Sequence, residues 1–418
     1  MSIGLLLYVD NIIFAPMKLL SINTVATESN APAKIMLGIS KEAKKAGIEP
    51  YICYGRKSHM AEPNFIWYRV GRSYDIYSHT LLSRLGDSEG LHSVRATKRL
   101  IEYISSVSPD IIHLHNIHGH YVNYPLLFEF LKHYNCPVVW TLHDCWAYTG
   151  HCAYYSTADC QKWKHECSGC PQKKVYPKSY LLDKSKLNYS LKREFFTGVP
   201  LMNIVVPSDW LKREVQSSFL CDYPIHVIHN GVDTDTFQPI EKSNGNSQKI
   251  ILGVASTWED RKGLSDIVAL SKMLPSEYKI VLAGMSAKAV PTELKNVSGL
   301  GYLTPQQMAK VYSKVDIFLN TSREETFGMT TIESLACQTP VIVNNKTALP
   351  EIVDVYGNNV AKVIDTSDTH LLLDSILEMT TEKLPDSAVR QAYQTTVNNY
   401  SEAIMCEKYL NLYSELVK

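Results

Sequence analysis

The sequence predicts an α/β protein of two doubly wound units, each a parallel sheet covered by helices. Three observations carry that expectation. Short apolar segments alternate with amphipathic stretches of about 10–15 residues, as β–α–β crossovers require. The alternation breaks once, in a polar connector, and then restarts. At 418 residues the chain also exceeds what one ordinary core accommodates.

The first unit opens on a strand at Lys18–Asn23, followed by a helix at Ala33–Lys45 that ends at Gly47 and a strand at Glu49–Tyr54. A helix at Val94–Val107 is stopped by Pro109, after which Ile111–His115 reads as a strand. Tyr121–His133 is periodic at helical spacing, and Pro137–Leu142 and Met202–Val206 are further strands. From Thr234 to Gln248 the chain is polar, with Pro239 and Asn244-Gly245-Asn246 marking a connector. The second unit reads as strand Lys249–Val254, helix Gly263–Met273, strand Tyr278–Ala283, helix Pro305–Ser313 and strand Ile317–Asn320. Helix Met329–Cys337 and strand Pro340–Asn344 follow, and Asp386 to Val417 is long and helical. The expected divisions are a first domain at 17–233 with a cysteine-rich loop at 151–171, a linker at 234–248, a second domain at 249–385 and a helical segment at 386–418.

Residues 1–16 read as an appendage, with Met17 as the functional start just ahead of the first strand. The apolar run from Ile3 is interrupted by Asp10 and Asn11, and no basic residue precedes it, so a secretory signal is not expected. No apolar run is long enough to span a bilayer, and a cytoplasmic chain is expected. Lys plus Arg and Asp plus Glu both number 42, which disfavours a nucleic-acid binder acting through a global positive field. A P-loop, a G-x-G-x-x-G after the first strand, H-E-x-x-H and G-x-S-x-G are all missing, which removes the commonest nucleotidase, dehydrogenase, zinc protease and serine hydrolase readings.

The most informative segment runs from Thr321 to Glu333, leaving an apolar strand and entering a helix. Unpaired N–H groups at a helix start favour anions, so the backbone at Phe327, Gly328 and Met329 is suited to a diphosphate. Glu325 precedes that helix and Glu333 lies about two turns inside it. Carboxylates beside a phosphate site make sense as partners of hydroxyl groups, and a sugar and a ribose supply those. The alternative is an acid complementing the helix dipole and a solvated helical glutamate.

Glu325 and Glu333, within S-x-x-E-x-F-G-x-x-x-x-E, resemble the E-x7-E motif of the family 4 retaining glycosyltransferases. His229-Asn230-Gly231-Val232-Asp233 resembles that family's interdomain turn, and Arg261-Lys262-Gly263-Leu264 its basic element. His113-Leu114-His115 and Thr141-Leu142-His143-Asp144 resemble acceptor-domain segments, most of all in the branch making colanic acid and related surface polysaccharides. The resemblance implies GT-B architecture, two Rossmann-like domains facing across a cleft. It implies a nucleotide-sugar donor, UDP- or GDP-linked, a saccharide or lipid-linked saccharide acceptor, and no catalytic cofactor. On that likeness Lys262, aided by Arg261, pairs with the diphosphate, Glu325 binds the donor sugar, Glu333 the ribose, and His143 lies near the transferred sugar.

Three departures stand out. Ala255-Ser256 replaces a family G-R, Asn30-Ala31-Pro32-Ala33-Lys34 replaces a glycine-rich loop, and Gln338-Thr339-Pro340 replaces G-x-P, removing the preferred left-handed helix terminator.

Three further features lie outside the motif. Cys152, Cys160, Cys167 and Cys170 offer four soft ligands for a structural zinc, with free thiols or a facultative disulfide as equal alternatives. His113, His115, His118, His120, His143 and His151 are read as hydrogen-bonding groups lining the cleft in preference to metal ligands. Between Gln161 and Phe196, eight lysines and Arg193 interleave with Tyr176, Tyr180, Tyr189, Phe195 and Phe196, a composition suited to an anionic membrane surface or to an ordinary solvated face. The competing functional readings are a nucleotide-sugar epimerase or hydrolase on the same fold, and a zinc-containing nucleic-acid-binding protein.

Overall fold

The computed structural model describes residues 16–58, 65–240, 248–357, 359–381 and 384–418. The appendage expected before Met17 and the Asn244-Gly245-Asn246 stretch fall outside the described residues, except for Pro16.

Two parallel sheets form the frame. The first holds β1 (Lys18–Asn23), β2 (Glu49–Tyr54), β3 (Ile66–Arg69), β4 (Ile111–Leu114), β5 (Val138–Thr141), β6 (Met202–Val206) and β7 (Ile225–Val227), in the order β3-β2-β1-β4-β5-β6-β7. The second holds β8 (Lys249–Val254), β9 (Tyr278–Ala283), β10 (Val297–Gly301), β11 (Ile317–Asn320), β12 (Val341–Asn344) and β13 (Ala361–Ile364), in the order β10-β9-β8-β11-β12-β13. The strand order reverses between β1 and β4 and again between β8 and β11, and a doubly wound sheet binds ligands at such switch points. Central strands such as β4, β5, β11 and β12 are buried along their whole length, as helices on both faces demand. The four strands that periodicity did not reveal, β3, β7, β10 and β13, are the four sheet edges, where burial is partial and the apolar signal is weak.

Several helices differ from expectation at their ends, for local reasons. The first begins at Ala31, two residues early, because Asn30 caps it by accepting from the Ala33 N–H at 3.2 Å, with Pro32 in its first turn. The expected helix from Tyr121 begins at Tyr124, capped by Asn123. The long C-terminal helix is two helices, Asp386–Tyr400 and Glu402–Leu416, divided at Ser401, whose hydroxyl accepts from the Ile404 N–H at 3.4 Å. The first of these packs on the second domain, through Ala392 and Tyr400. The second returns to the first domain, where Met405, Tyr409, Leu412 and Tyr413 share a core with Leu19, Val139 and Val205. The end of the chain therefore ties both sheets together.

Candidate active site

The basic element is a one-turn 3-10 helix, Asp260–Lys262, ending at Gly263. Gly263 has a φ of 68°, and a Cβ there would lie 2.2 Å from the Thr321 carbonyl oxygen, so only glycine lets this turn lie against the loop after β11. The contact is sewn by the Thr321 hydroxyl, which donates to the Lys262 carbonyl at 2.9 Å, and by the Arg323 N–H, which donates to the Arg261 carbonyl at 2.8 Å. This architecture pairs the Lys262 ammonium with the Glu325 carboxylate. Burial alone would raise the Glu325 carboxyl, but Lys262 and Arg261 hold it below its usual value, so it is ionised at neutral pH.

Gly328 starts the next helix, Met329–Ala336, from a φ of 98°, and a Cβ there would strike Leu349 at 2.7 Å. The Phe327 ring is buried against His229 and Tyr400, so what this residue can offer a ligand is its backbone. Glu333 accepts from the Tyr312 hydroxyl at 3.2 Å. Burial lifts its carboxyl to about 7, against the opposing pull of Lys34 and Tyr312. Lys34 sits in the first turn of the first-domain helix, where the glycine-rich loop is missing, and its ammonium lies 5.8 Å from the Phe237 ring centre. A positive charge thus occupies the place of that loop.

Across the cleft, a small pocket at the carboxyl ends of β4 and β5 is lined by His115, His118, His143, Asp144 and Trp146. His143 Nε2 is 3.0 Å from His115 Nδ1, and the rings stack. Burial, with His118 nearby, lowers His143 to about 4 against the opposing Asp144, so its imidazole is neutral at physiological pH. His118 bridges Asp144 at 3.0 Å and the Tyr176 hydroxyl at 2.9 Å. His113 bonds Thr141 at 2.8 Å and the Tyr413 hydroxyl at 2.6 Å. Of the six histidines read as cleft lining, His115, His118 and His143 line this pocket, whereas His113 is buried against Tyr413, His120 pairs with Glu89 and His151 with Asp87.

The two halves meet through the loop after β11. The Thr326 hydroxyl donates to the His143 carbonyl at 2.9 Å, so the loops carrying His143 and Glu325 touch. Glu324, which the sequence reading passed over, is fully buried and accepts from the Tyr155 and Ser156 N–H groups at 3.0 and 2.7 Å. Its carboxyl is raised to about 7 by burial, against those donors. The Arg261 guanidinium lies over the Tyr154 ring at 4.1 Å, so it serves the same junction.

The four cysteines of the loop and His151 line one small cavity, and the Gly150 N–H points at Cys167 Sγ at 3.1 Å. None of the four cysteines is in a disulfide. Among the described residues, the set of metal-type ligand atoms mutually within 4.8 Å is a different one, His79, Glu89 and His120. That set is committed to structure. His79 is bonded by Ser93 and by the Gly90 N–H, while Glu89 accepts from the N–H groups of Gly119 and His120, both of positive φ. It braces the loop after β4.

Part of the basic stretch is also not surface. Lys192 is buried, its ammonium 3.5 Å from the Trp146 ring centre and donating to the Trp146 and Thr149 carbonyls at 2.7 and 2.9 Å. Tyr189 and Phe196 are core residues. The other seven lysines of this stretch and Arg193 are exposed or half-buried. The Gln338 turn keeps its left-handed conformation, at a φ of 60°, without glycine.

Comparison with known proteins gives the family and the fold. Residues 33–236 match the profile described as Glycosyltransferase Family 4, and residues 235–395 match Glycosyl transferases group 1. The putative colanic acid biosynthesis glycosyl transferase WcaC of Escherichia coli strain K12 is 23% identical over 96% of this chain and the whole of its own length. A glycosyltransferase of Rickettsia africae superposes with a TM-score of 0.67 at 18% identity, covering 97% of this chain and 100% of that one. Anabaena Alr3699/HepE, solved with UDP and glucose, superposes at 0.63 with 14% identity, covering 95% and 99%. At such identities the superpositions establish the fold. The two profiles abut to cover the chain from the first helix to the penultimate one, and this protein belongs to the family 4 glycosyltransferases of GT-B architecture.

Proposed function

We propose that this glycosyltransferase moves a hexose from a UDP- or GDP-sugar, with retention of anomeric configuration, onto a lipid-linked saccharide during assembly of a surface polysaccharide. The observation that carries the reading is the Lys262–Glu325 pair, held by Gly263 under the start of the Met329–Ala336 helix and against the His143 loop. The surface-polysaccharide assignment is supported by the full-length likeness to WcaC.

Breaking the bond between sugar and diphosphate loads negative charge on the departing phosphate. On this reading Lys262, Arg261 and the helix start stabilise that charge as it develops. Glu333 accepts from the ribose, Lys34 approaches the phosphates from the first domain, and neutral His143 offers a nitrogen to a hydroxyl of the transferred sugar. The cysteine loop is proposed to hold a structural zinc, on the ground that all four thiols and His151 face one cavity. Zinc at near-stoichiometric level in protein purified without added metal is the expected result, and its absence rejects the site.

The functional test is a screen of UDP- and GDP-sugars, scored by thermal stabilisation and nucleotide release. One donor is expected to stabilise the protein, and Glu325→Gln is expected to keep the fold while losing at least about 100-fold in turnover. Full turnover in that variant overturns the assignment.

A further inference from the structure

The helix Ser73–Gly86 is inverted. It buries Ile76, His79 and Ser83 and turns Tyr74, Tyr77, Leu81 and Leu85 outward. Those four positions, spaced three, four and four residues apart, form one stripe at helical periodicity. Tyr77 is 75% exposed. A helix on a soluble face ordinarily presents the opposite side to water.

The stripe does not end with the helix. The Tyr180 N–H donates to the Arg84 carbonyl at 2.7 Å and the Leu182 N–H to the Leu85 carbonyl at 3.3 Å, fastening a second segment along its C-terminal turn. That segment adds Tyr180, Leu181 and Leu182, all exposed, with Leu181 at 67%. A continuous apolar surface of this kind marks a contact site.

Its rim is basic. Residues 173–186 contain five lysines, 173, 174, 178, 184 and 186, and the helix contributes exposed Arg72 and Arg84. The acids nearby stay charged but are outnumbered, three against seven cations. Asp183 accepts from the Cys170 N–H at 2.7 Å and from Ser185, Glu166 pairs with Lys186 at 3.2 Å, and Asp75 accepts from the Arg72 N–H at 2.8 Å. Apolar side chains ringed by cations are complementary to acyl chains beneath anionic head groups. No helix among the described residues is long and apolar enough to cross a membrane, so the contact would be from one side.

We infer that the helix Ser73–Gly86 and the segment 173–187 together dock this protein on an anionic bilayer. The docking surface adjoins the site, because Tyr176 of the same segment bonds His118 in the pocket beside His143. A lipid-linked acceptor rising from that bilayer would meet the first-domain pocket directly. The inference stands apart from the donor reading, since binding to vesicles needs no nucleotide-sugar.

The test is co-sedimentation of the full chain with vesicles of phosphatidylcholine, alone or mixed with phosphatidylglycerol, at low and high salt. Partitioning is expected to favour the anionic vesicles by about tenfold or more, and to weaken with salt. Tyr77→Ser with Leu81→Ser should lower that partitioning about tenfold, and Lys174→Glu with Lys178→Glu should abolish the anionic preference. All four residues are exposed, and unchanged thermal unfolding checks that each variant is folded. Equal binding to both vesicle types, or binding untouched by the apolar substitutions, overturns the inference. So does a wild-type dimer that Leu81→Ser splits without any vesicle binding, which would assign the face to a second copy.

Discussion

Glu324 makes the interdomain junction sensitive to pH, and Glu324→Gln exposes the effect. The carboxyl is raised from 4.5 to about 7 in the folded chain. The folded protein therefore holds this proton more tightly than the unfolded one. Its contribution is complete below pH 4.5 and is lost as pH climbs through 7. That interval, at about 1.4 kcal/mol per pH unit, corresponds to about 3 kcal/mol. Glutamine cannot titrate. With one acceptor oxygen it matches the protonated carboxyl, and it keeps that neutral form at every pH. The variant should thus lie close to wild type at pH 5 and exceed it by about 2–3 kcal/mol at pH 8. Urea unfolding at both pH values, followed by fluorescence and far-ultraviolet dichroism to check for a single transition, reads the difference directly. Histidine titrations are shared by both proteins and cancel. Stability curves that run parallel, within about 0.5 kcal/mol, would refute the reasoning.

Two other substitutions probe the second domain. Lys262→Ala should lower kcat by about 10²–10³, and because Glu325 loses the cation that depresses it, the acid limb of the pH–rate profile should move upward; an unmoved limb would separate the two groups. Gln338→Gly relieves a side chain held in left-handed backbone at a φ of 60° and should stabilise the fold by about 1 kcal/mol in urea unfolding, with no change in donor affinity.

What the sequence disclosed follows from what is local. Glu325 and Glu333 were readable because their spacing places both beside one helix start, and Gly263 because a basic turn followed by glycine has a backbone meaning by itself. Glu324 differs from Glu325 by one position. Only its contact with Tyr155 and Ser156, more than 160 residues away, sets it apart. Lys34 was visible as a departure from a glycine loop, but its charge acquires a role only when the first-domain helix faces Glu333. The break at Ser401 had a signal, a serine ahead of helix-forming residues, which continuous periodicity concealed. In helix Ser73–Gly86 the apolar stripe is plain in the sequence, yet periodicity cannot say which side faces the core, and here Ile76 and His79 do.

A charge balance accounts for carboxylates beside the proposed phosphate site. Lys262 and Glu325 neutralise each other, so neither is left half-buried and unpaired. On the proposed reading, an arriving diphosphate competes for Lys262 and frees Glu325 for the sugar hydroxyls, so donor binding and catalytic alignment become one exchange. Thr326, next in the chain, is bonded to the His143 carbonyl, and Glu324 on the other side is anchored to the cysteine loop. An exchange at Glu325 is therefore bounded on both flanks by first-domain contacts. On that reading the two domains cannot respond independently.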